Sequence, residues 1–327
     1  MSKNKLQKVA IIGGGMAGLV CARDLVDAGR EVTVFDKSRG LGGRICTRRQ
    51  NEMRFDHGAQ YFTTTSPAFE AAVEEWVRAG AVAPWVGQFA LWRDGEFQLI
   101  EPHRQRWVGI PRMSALGRFL GRGLDCRLSH RVNRLTRTAN KWTIHVEDDH
   151  RFDGFDGVIL TCPGPQAAAL LPSTHGLRQM ALSVDYAPCW AVMMHFSERV
   201  KLPYDGTHLH NHSIGWMARD SSKPGRSAGE RWVLHGSPVW SQEHLETGPD
   251  AIVRSLSDAF EALSGHRPKS ASAHRWRYAL CDDTEGRTIQ YDGELKLGLC
   301  GDAFTDPKVE GAWSSGKAMA HEILTTA

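Results

Sequence analysis

Residues 9–18 read VAIIGGGMAG, a short apolar run followed directly by a glycine-rich turn of the form G-x-G-x-x-G. The apolar run predicts a buried β-strand, and residues 19–28 predict a helix that stops at Gly29. A second predicted strand, residues 31–35, ends on Asp36. Strand, glycine turn, helix and strand in this order predict a βαβ unit that binds a dinucleotide.

Four residues of this unit have separate predicted roles. Gly13 permits the tight turn, Gly15 lets the backbone approach a pyrophosphate, and Gly18 lets the helix pack closely on the strand. The N-terminus of the helix stabilises the phosphate charge. Asp36 is placed to accept hydrogen bonds from the adenosine ribose. The alternative is a glycine-rich turn without a ligand, and the agreement of strand, helix and acidic end disfavours it.

The segment after Asp36 indicates which dinucleotide cofactor is bound. Residues 37–44, KSRGLGGR, are rich in arginine and glycine. Nicotinamide dehydrogenases do not usually carry such a segment here, whereas many flavoproteins do. We expect Gly43 to allow close approach to the cofactor and Arg44 to pair with its phosphates, with Lys37 as a further contact. The predicted dinucleotide is therefore FAD.

A second flavin signal lies near the C-terminal end. Residues 295–300 predict an apolar strand that leads into Asp302, and Gly311 and Ala312 open a predicted helix. This layout resembles the C-terminal flavin motif, in which the aspartate binds the ribityl chain. The helix N-terminus there faces flavin O2 and N1, where negative charge develops on reduction. Two motifs almost a chain length apart thus predict one bound flavin.

Composition disfavours several other classes of protein. A net charge of +3 gives no sign of a nucleic-acid binder or a membrane-surface protein. No apolar run approaches the roughly 18 residues of a membrane span. The seven cysteines are scattered and never spaced C-x-x-C, which disfavours a disulfide framework or a zinc site and fits a reducing cytosol. We expect a cytoplasmic protein without a metal, whose oligomeric state the sequence leaves open.

Taken together, these segments resemble the renalases, which belong to the flavin amine-oxidase superfamily. Residues 55–62, FDHGAQYF, look like the D-x-G-A-Q-Y segment of that family. The resemblance covers essentially the full length and is more specific for the FAD domain than for the pocket. The other matching segments are residues 42–44, 158–166, 188–192, 232–235, 274–278 and 309–313.

The expected fold class is α/β. A Rossmann-like FAD-binding domain is interleaved with a mixed α+β substrate domain, as in p-hydroxybenzoate hydroxylase and the amine oxidases. Turn signals and predicted strands set the domain limits. Asp94-Gly95 and Ala139-Asn140 predict hairpin turns, and Pro163-Gly164-Pro165 predicts an exit from the FAD-binding domain. The strands predicted to return to that domain are residues 126–135, 142–146 and 155–161. The FAD-binding domain is predicted at residues 1–65, 106–165 and 280–327, and the substrate domain at residues 66–105 and 166–279.

The resemblance also implies particular FAD contacts. Ala17 and Arg44 should contact the cofactor, Gln60 and Tyr61 should lie beside the isoalloxazine ring, and backbone near Val132 should touch the adenine. We expect non-covalent FAD, because Cys281 lacks the Gly-Gly-Cys setting of the covalent monoamine oxidases.

Tyr61, His235 and Trp276 are the candidate catalytic residues and pocket walls. His235 ends an apolar strand, where a histidine is more often a satisfied core residue, and the family likeness favours a pocket role. Trp276 shares one strand face with His274 and Tyr278, which core packing would explain equally well.

Two polar segments leave alternatives open. Three alternating histidines at 208, 210 and 212 suggest a metal site, but no carboxylate or cysteine nearby completes it. Residues 223–226, KPGR, predict a solvated turn, with contact to substrate phosphates as the alternative.

Three functions are compatible with the sequence. The resemblance implies a renalase-like oxidase that converts 2- or 6-dihydro-NAD(P) to NAD(P)⁺ and reduces O₂ to H₂O₂. The single dinucleotide fingerprint means that such a dinucleotide would be the substrate rather than a second bound cofactor. The superfamily also implies a small-amine oxidase, and a flavin-binding isomerase or sensor is the third possibility.

Overall fold

The computed structural model describes residues 6–101, 104–281 and 288–326. The described part of the chain contains twenty strands, numbered in chain order: β1 (Lys8–Ile12), β2 (Glu31–Asp36), β3 (Arg48–Gln50), β4 (Met53–Phe55), β5 (Val82–Pro84), β6 (Phe89–Arg93), β7 (Glu96–Ile100), β8 (Trp107–Gly109), β9 (Asp125–Leu128), β10 (Val132–Thr138), β11 (Lys141–Val146), β12 (Arg151–Phe155), β13 (Gly157–Leu160), β14 (Tyr186–Phe196), β15 (Gly206–Leu209), β16 (Ile214–Arg219), β17 (Glu230–Gly236), β18 (Ser270–Cys281), β19 (Ile289–Asp292) and β20 (Leu297–Cys300).

The α-helices of the same residues are α1 (Met16–Asp27), α2 (Pro67–Arg78), α3 (Ser114–Leu120), α4 (Gly164–Ala168), α5 (Gly176–Leu182), α6 (Pro238–Glu243), α7 (Pro249–Ser264) and α8 (Val309–Thr326). None of these helices combines the length and apolar character that crossing a bilayer requires. The chain divides into two compact units. The first unit comprises Met1–Ile45, Leu116–Asp185 and Cys281–Ala327, and the second comprises Cys46–Ala115 and Tyr186–Leu280.

The first unit is built on a six-stranded sheet with the order β19-β20-β13-β1-β2-β9. Neighbours from β20 to β9 run parallel, and β19 is antiparallel at one edge. Every residue of β13 and β20 is buried, as expected for parallel strands covered on both faces. Leu25 of α1 and Ile323 of α8 join the same core. This sheet is the Rossmann-like half of the predicted fold.

Residues 126–135 were predicted to be one strand, and this prediction is wrong. Ser129 has a φ of 57°, and this left-handed residue separates β9 from β10. β9 joins the six-stranded sheet, whereas β10 forms a three-stranded antiparallel sheet with β11 and β12. The predicted strand at 155–161 is likewise divided, because β12 ends at Phe155 and β13 begins at Gly157.

Two predicted hairpin turns are confirmed. Asp94 and Gly95 connect β6 to β7 with φ values of 53° and 90°. Ala139 and Asn140 connect β10 to β11 with φ values of 49° and 63°. Positive φ at both central residues is typical of the type I′ turn, whose twist matches that of the flanking strands.

The second unit contains a seven-stranded sheet with the order β18-β14-β17-β16-β15-β6-β7. β15 and β6 are parallel, so residues 206–209 lie beside residues 89–92. Helix α7 buries Leu256 and Phe260 in the same apolar core as Trp232. A largely antiparallel sheet with a packed helix is the mixed α+β architecture predicted for the second half of the fold.

Part of the predicted FAD-binding domain belongs to the second unit. Residues 46–65 do so because Phe55 packs in a buried cluster with two apolar residues of the large sheet. Residues 106–115 do so because β8 pairs with β5. In both segments a tertiary partner decides the grouping, and turn signals in the sequence do not reveal that partner.

Residues 166–185 show the opposite difference. They were predicted to belong to the substrate domain, and they group with the first unit. The His175 imidazole lies 3.2 Å from the carboxylate of Asp292, which belongs to that unit. The Pro-Gly-Pro sequence at 163–165 therefore starts a short helix rather than an exit from the unit.

Candidate functional site

The glycine turn of the first unit follows β1 directly. Gly13 has a φ of 122°, and its amide donates to the carbonyl of Phe35 at 2.8 Å. A methyl group built on Gly18 would lie 2.0 Å from the Gly13 carbonyl oxygen, so helix and turn touch there. A methyl group built on Gly15 would meet no atom within 4 Å. The turn thus has close packing at Gly18 and open space at Gly15, and this difference fits a pyrophosphate beside Gly15.

The carboxylate of Asp36 is nearly buried at the end of β2. It accepts hydrogen bonds from the amide of Gly14 at 2.7 Å and from the amide of Ser38 at 2.6 Å. An ionised carboxylate has about four acceptor positions, so capacity for ribose hydroxyls remains. The structure therefore gives Asp36 a role in fixing the turn, and its ribose contact stays a prediction.

Arg44 and Asp302 form a two-pronged ion pair, although they are far apart in the sequence. Arg44 Nη1 donates to Asp302 Oδ2 at 2.7 Å, and Nη2 donates to Oδ1 at 2.5 Å. The Asp302 side chain is 9% exposed. Sequence reasoning assigned the two residues to different parts of FAD, and it did not predict that they meet.

The Cys281 thiol lies next to this pair, 3.7 Å from Asp302 Oδ2. Burial, reinforced by the Asp302 charge, raises the pKa of Cys281 to about 12. The sulfur is therefore a neutral thiol at neutral pH and a poor nucleophile. This chemistry agrees with a flavin that is held without a covalent bond.

The other predicted FAD contacts of the first unit lie around the same elements. Gly311 is buried and Ala312 is half-buried in the first turn of α8. Ala17 is buried in α1, Gly43 follows the bridge between Gly15 and Gly42, and Val132 begins β10. Lys37 Nζ donates to the Gln166 side chain at 2.9 Å. Burial, together with the charge of Arg131, lowers the pKa of Lys37.

A buried charge cluster organises the second unit around Asp56. Lys223, with a fully buried side chain, donates to Asp220 at 2.9 Å and lies 3.7 Å from Asp56 Oδ2. Arg226 also pairs with Asp56 Oδ2, and Thr47 donates to Oδ1 at 2.6 Å. Burial alone would raise the pKa of Asp56, but the charges of Lys223 and Arg226 outweigh it and lower the pKa.

The predicted solvated turn at 223–226 is therefore wrong for its two cations. The side chains of Lys223 and Arg226 are 0% and 4% exposed. Their carboxylate partner, Asp56, is separated from Arg226 by 170 positions in the sequence. A polar turn sequence cannot reveal a partner at that separation, so the same four residues predict an exposed turn.

Gln60, predicted to lie beside the flavin, is fixed by this cluster. Its Nε2 donates to the carbonyl of Gly58 at 3.0 Å and to that of Asp56. Its Oε1 accepts from Lys223 Nζ at 3.1 Å. Both ends of the amide thus have defined partners, and the orientation of the 56–61 loop is set by buried hydrogen bonds.

The carbonyl of His57 brings two of the three catalytic candidates together. Trp276 Nε1 donates to this oxygen at 3.0 Å, and His235 Nε2 lies 3.2 Å from it. The rings of His57 and Trp276 have centroids 5.0 Å apart, and His274 lies 4.8 Å from His57. We name His57, His235, His274 and Trp276 the imidazole cluster. Sequence reasoning gave His57 no role, although it lies inside the family-like segment 55–62.

The imidazoles of this cluster are neutral at neutral pH. Burial, followed by the charges of His274 and Arg48, lowers the pKa of His57 to about 3. Burial lowers the pKa of His235 to about 4. Burial, followed by the charge of Arg48, also lowers the pKa of His274 to about 4. The cluster therefore offers aromatic surface and neutral hydrogen-bonding groups rather than positive charge.

Tyr61, the third candidate, contacts a different set of rings. Its ring centroid lies 5.6 Å from that of Trp216 and 6.2 Å from that of Trp85. Its hydroxyl lies 3.4 Å from His208 Nε2. The Arg106 guanidinium carbon lies 5.1 Å from the Tyr61 ring centroid.

The histidines at 208, 210 and 212 do not converge. β15 ends at Leu209, and Asn211 adopts a φ of 51°. His208 contacts Tyr61, whereas His212 Nδ1 accepts from the amide of Ile214 at 3.1 Å. Across residues 6–101, 104–281 and 288–326, no group of three or more potential ligand residues is arranged to hold a metal ion.

The fold and the glycine-rich site define a dinucleotide-binding flavoprotein. The chain belongs to the flavin-containing amine oxidoreductases, because the model of that family matches residues 97–324. A model of an NAD(P)-binding Rossmann-like domain matches residues 11–76. Both matches imply non-covalent FAD, which confirms the predicted cofactor and makes the chain an FAD-dependent oxidoreductase of this superfamily.

Solved structures share this fold at low sequence identity. A provisionally named protoporphyrinogen oxidase from Exiguobacterium sp. 255-15 aligns with a TM-score of 0.80 and 14% identity, covering 98% of this chain and 99% of that one. A putrescine oxidase with redesigned cofactor binding aligns with a TM-score of 0.75 and 14% identity, covering 99% of this chain and 100% of that one. Cyclohexylamine oxidase from Brevibacterium oxydans IH-35A aligns with a TM-score of 0.75 and 13% identity, covering 98% of this chain and 99% of that one. These likenesses establish the fold alone.

Similarity to curated relatives is confined to a short segment. L-amino-acid oxidase from Mus musculus is 47% identical over 49 residues, which are 15% of this chain and 8% of that protein. A 4,4'-diapophytoene desaturase from Staphylococcus aureus (strain Newman) is 39% identical over 51 residues, 16% of this chain and 10% of that protein. The aligned part thus spans a tenth or less of these relatives, and their activities do not transfer.

Replacing Asp302 with alanine should weaken FAD retention without unfolding the chain. Loss of one charged hydrogen bond costs about 1.5–3 kcal/mol, or roughly 10- to 100-fold in affinity. FAD content after gel filtration and a flavin titration of the apoprotein measure the change. Asp24→Ala, which breaks an ion pair with Lys317 in the same unit, is the matched control and should retain FAD. Full flavin in Asp302→Ala would contradict the assignment of the C-terminal motif.

Proposed function

We propose that this chain is a renalase-like FAD oxidase that converts 2- or 6-dihydro-NAD(P) to NAD(P)⁺. When bound, FAD would supply the hydride acceptor, and O₂ with one proton would then receive the two electrons as H₂O₂. The observation that supports this function most is the neutral imidazole cluster. A dihydropyridine is already a hydride donor, so its oxidation requires positioning rather than a base.

The protein's part in such a reaction is orientation. Trp276 and His235 are both held by the His57 carbonyl, so their rings have fixed positions. By family likeness, Tyr61 and Gln60 lie beside the isoalloxazine, and Lys223 holds the Gln60 amide. A misplacement of about 1 Å can cost two orders of magnitude in rate, so rigid walls of this kind are a sufficient catalytic contribution.

The charges of the second unit fit an anionic substrate better than an ammonium ion. An alkylamine is protonated at neutral pH and is best held by a carboxylate. The buried carboxylates Asp56, Asp220 and Glu230 each already pair with a lysine or arginine. A primary amine would therefore meet no free buried carboxylate among these three.

Amine oxidation is the second candidate. It is favoured by the family match and by the fold shared with proteins named putrescine oxidase and cyclohexylamine oxidase. The aromatic rings around Tyr61 would provide walls for a small neutral amine. Substrate chemistry, rather than fold, separates the two candidates.

Variants of the imidazole cluster test the proposed pocket. Trp276→Ala and His235→Ala should slow anaerobic flavin reduction by a dihydronicotinamide, by roughly 100-fold for Trp276→Ala, because the donor ring loses its fixed wall. Bound FAD and flavin reoxidation by O₂ should remain nearly unchanged. Stopped-flow absorbance measures both half-reactions separately.

Trp240→Ala is the matched control. The Trp240 ring also stacks on a histidine, since its centroid lies 4.2 Å from that of His244, but Trp240 belongs to helix α6 and not to the imidazole cluster. The flavin of Trp240→Ala should be reduced at the wild-type rate. Wild-type reduction rates in both Trp276→Ala and His235→Ala would remove the imidazole cluster from the pocket while leaving the reaction itself intact.

A further inference from the structure

Arg106 is held against two aromatic rings of the second unit. Its guanidinium carbon lies 3.7 Å from the Phe89 ring centroid and 5.1 Å from that of Tyr61. The backbone fixes this position, because the Arg106 carbonyl accepts from the amide of Trp85 at 2.8 Å and the next residue, Trp107, bridges to Phe62. Arg106 is therefore a positioned side chain rather than a mobile surface cation.

Two nitrogens of this guanidinium have no hydrogen-bond partner in the described part of the chain. Nε and Nη1 of Arg106 are both shielded from solvent and unpaired. The indole N–H of Trp216, whose ring also contacts Tyr61, is likewise shielded from solvent and has no hydrogen-bond partner among the described residues. Shielded donors without partners are costly, and several around one aromatic ring indicate a ligand with strong acceptor atoms.

Arg106 differs from the fully buried cations of the same unit in the partners of its guanidinium. Lys223, Arg226 and Arg219 each contact a carboxylate within their own unit. Arg231 is held by the carbonyls of Ser227 and Ala228. Arg106 instead has the aromatic partners Phe89 and Tyr61, and its charge acts on His208. Burial, followed by the charge of Arg106, lowers the pKa of His208, so this imidazole adds no competing charge.

We propose that Arg106 binds the diphosphate of the dinucleotide substrate beside Tyr61. A planar guanidinium matches two phosphate oxygens through parallel N–H donors, and it stacks on aromatic rings while doing so. The same charge repels an ammonium ion, so Arg106 favours a dinucleotide over an amine. This proposal rests on the proposed function for the identity of its ligand.

Direct binding tests the site without turnover. Calorimetry of the FAD-loaded protein with ADP-ribose, inorganic pyrophosphate and adenosine compares wild type with Arg106→Gln and Arg106→Lys. We expect Arg106→Gln to weaken ADP-ribose and pyrophosphate binding about 10- to 100-fold and to leave adenosine unchanged. Arg106→Lys should recover only part of the affinity, because an ammonium lacks the two-pronged geometry. Arg199→Gln, which removes an exposed arginine of the same unit, is the control and should bind as wild type does.

The substrate series gives a second readout. With dihydronicotinamide dinucleotide, Arg106→Gln should raise KM and leave the limiting rate of flavin reduction nearly unchanged. With the dihydronicotinamide riboside, which lacks phosphate, wild type and Arg106→Gln should have the same KM. An unchanged KM or ADP-ribose affinity in Arg106→Gln would overturn the diphosphate site. Arg106-dependent ADP-ribose binding in a protein whose flavin no dihydronicotinamide reduces would keep the site and overturn only the proposed function.

Discussion

Gly15→Val is expected to abolish FAD binding while leaving the chain folded. The position next to Gly15 is open, so a valine side chain meets no protein atom within 4 Å of its Cβ. It would instead fill the space that the pyrophosphate needs, and FAD affinity should fall by about two orders of magnitude or more. Flavin absorbance of the purified protein measures the loss, and circular dichroism with thermal unfolding measures the fold.

Gly18→Val is the informative comparison. Its Cβ would lie 2.0 Å from the Gly13 carbonyl oxygen, so this variant should lose fold and flavin together. At Gly29 a Cβ would also have open space, but the residue has a φ of 79°. Gly29→Ala should therefore lower the stability of the fold. It should leave the FAD content unchanged, because Gly29 follows α1 at the end away from the glycine turn. A yellow, stoichiometrically loaded Gly15→Val protein would show that the pyrophosphate binds elsewhere.

Lys223→Met should destabilise the protein by about 3–5 kcal/mol, because it leaves the buried carboxylates of Asp220 and Asp56 short of a positive partner. The Lys223 side chain is fully buried and contacts both carboxylates as well as Gln60. Urea unfolding of the variant and of wild type measures the difference.

Two variants distinguish charge from side-chain volume. Lys269→Met removes an exposed lysine of the same unit and should change stability by about 0.5 kcal/mol or less. The double variant Lys223→Met with Asp220→Asn removes charge on both sides and should recover part of the loss. A stability loss in Lys223→Met no larger than in Lys269→Met would mean that the buried cluster contributes little.

The elements that sequence reasoning predicted best are those fixed by short-range signals. Gly13 and Gly18 have roles within one turn, and the hairpin at Asp94 follows from its own turn residues. The C-terminal strand and helix are confirmed because their apolar patterns and glycines are also local. In each of these cases the residues that predict the element lie within one short stretch of the chain, although its packing partners are distant.

What sequence reasoning missed depends on partners that are distant in the chain. The parallel pairing of β15 with β6 joins segments more than a hundred residues apart, and no periodicity encodes it. The burial of Lys223 depends on Asp56, and the joint position of His235 and Trp276 depends on the carbonyl of His57. A backbone carbonyl carries no residue-type signal, so only the folded structure reveals that arrangement.

Anaerobic mixing of the FAD-loaded protein with 2-, 4- and 6-dihydro-NAD and with several amines, followed by flavin absorbance, tests the proposed reaction most directly. We expect rapid bleaching by the 2- or 6-dihydro form, with one NAD⁺ formed per flavin reduced, and no bleaching by simple amines. The neutral imidazole cluster and the two guanidinium nitrogens of Arg106 that lack partners among the described residues are the physical basis for that expectation. Rapid bleaching by an amine, with none by any dihydronicotinamide, would contradict it.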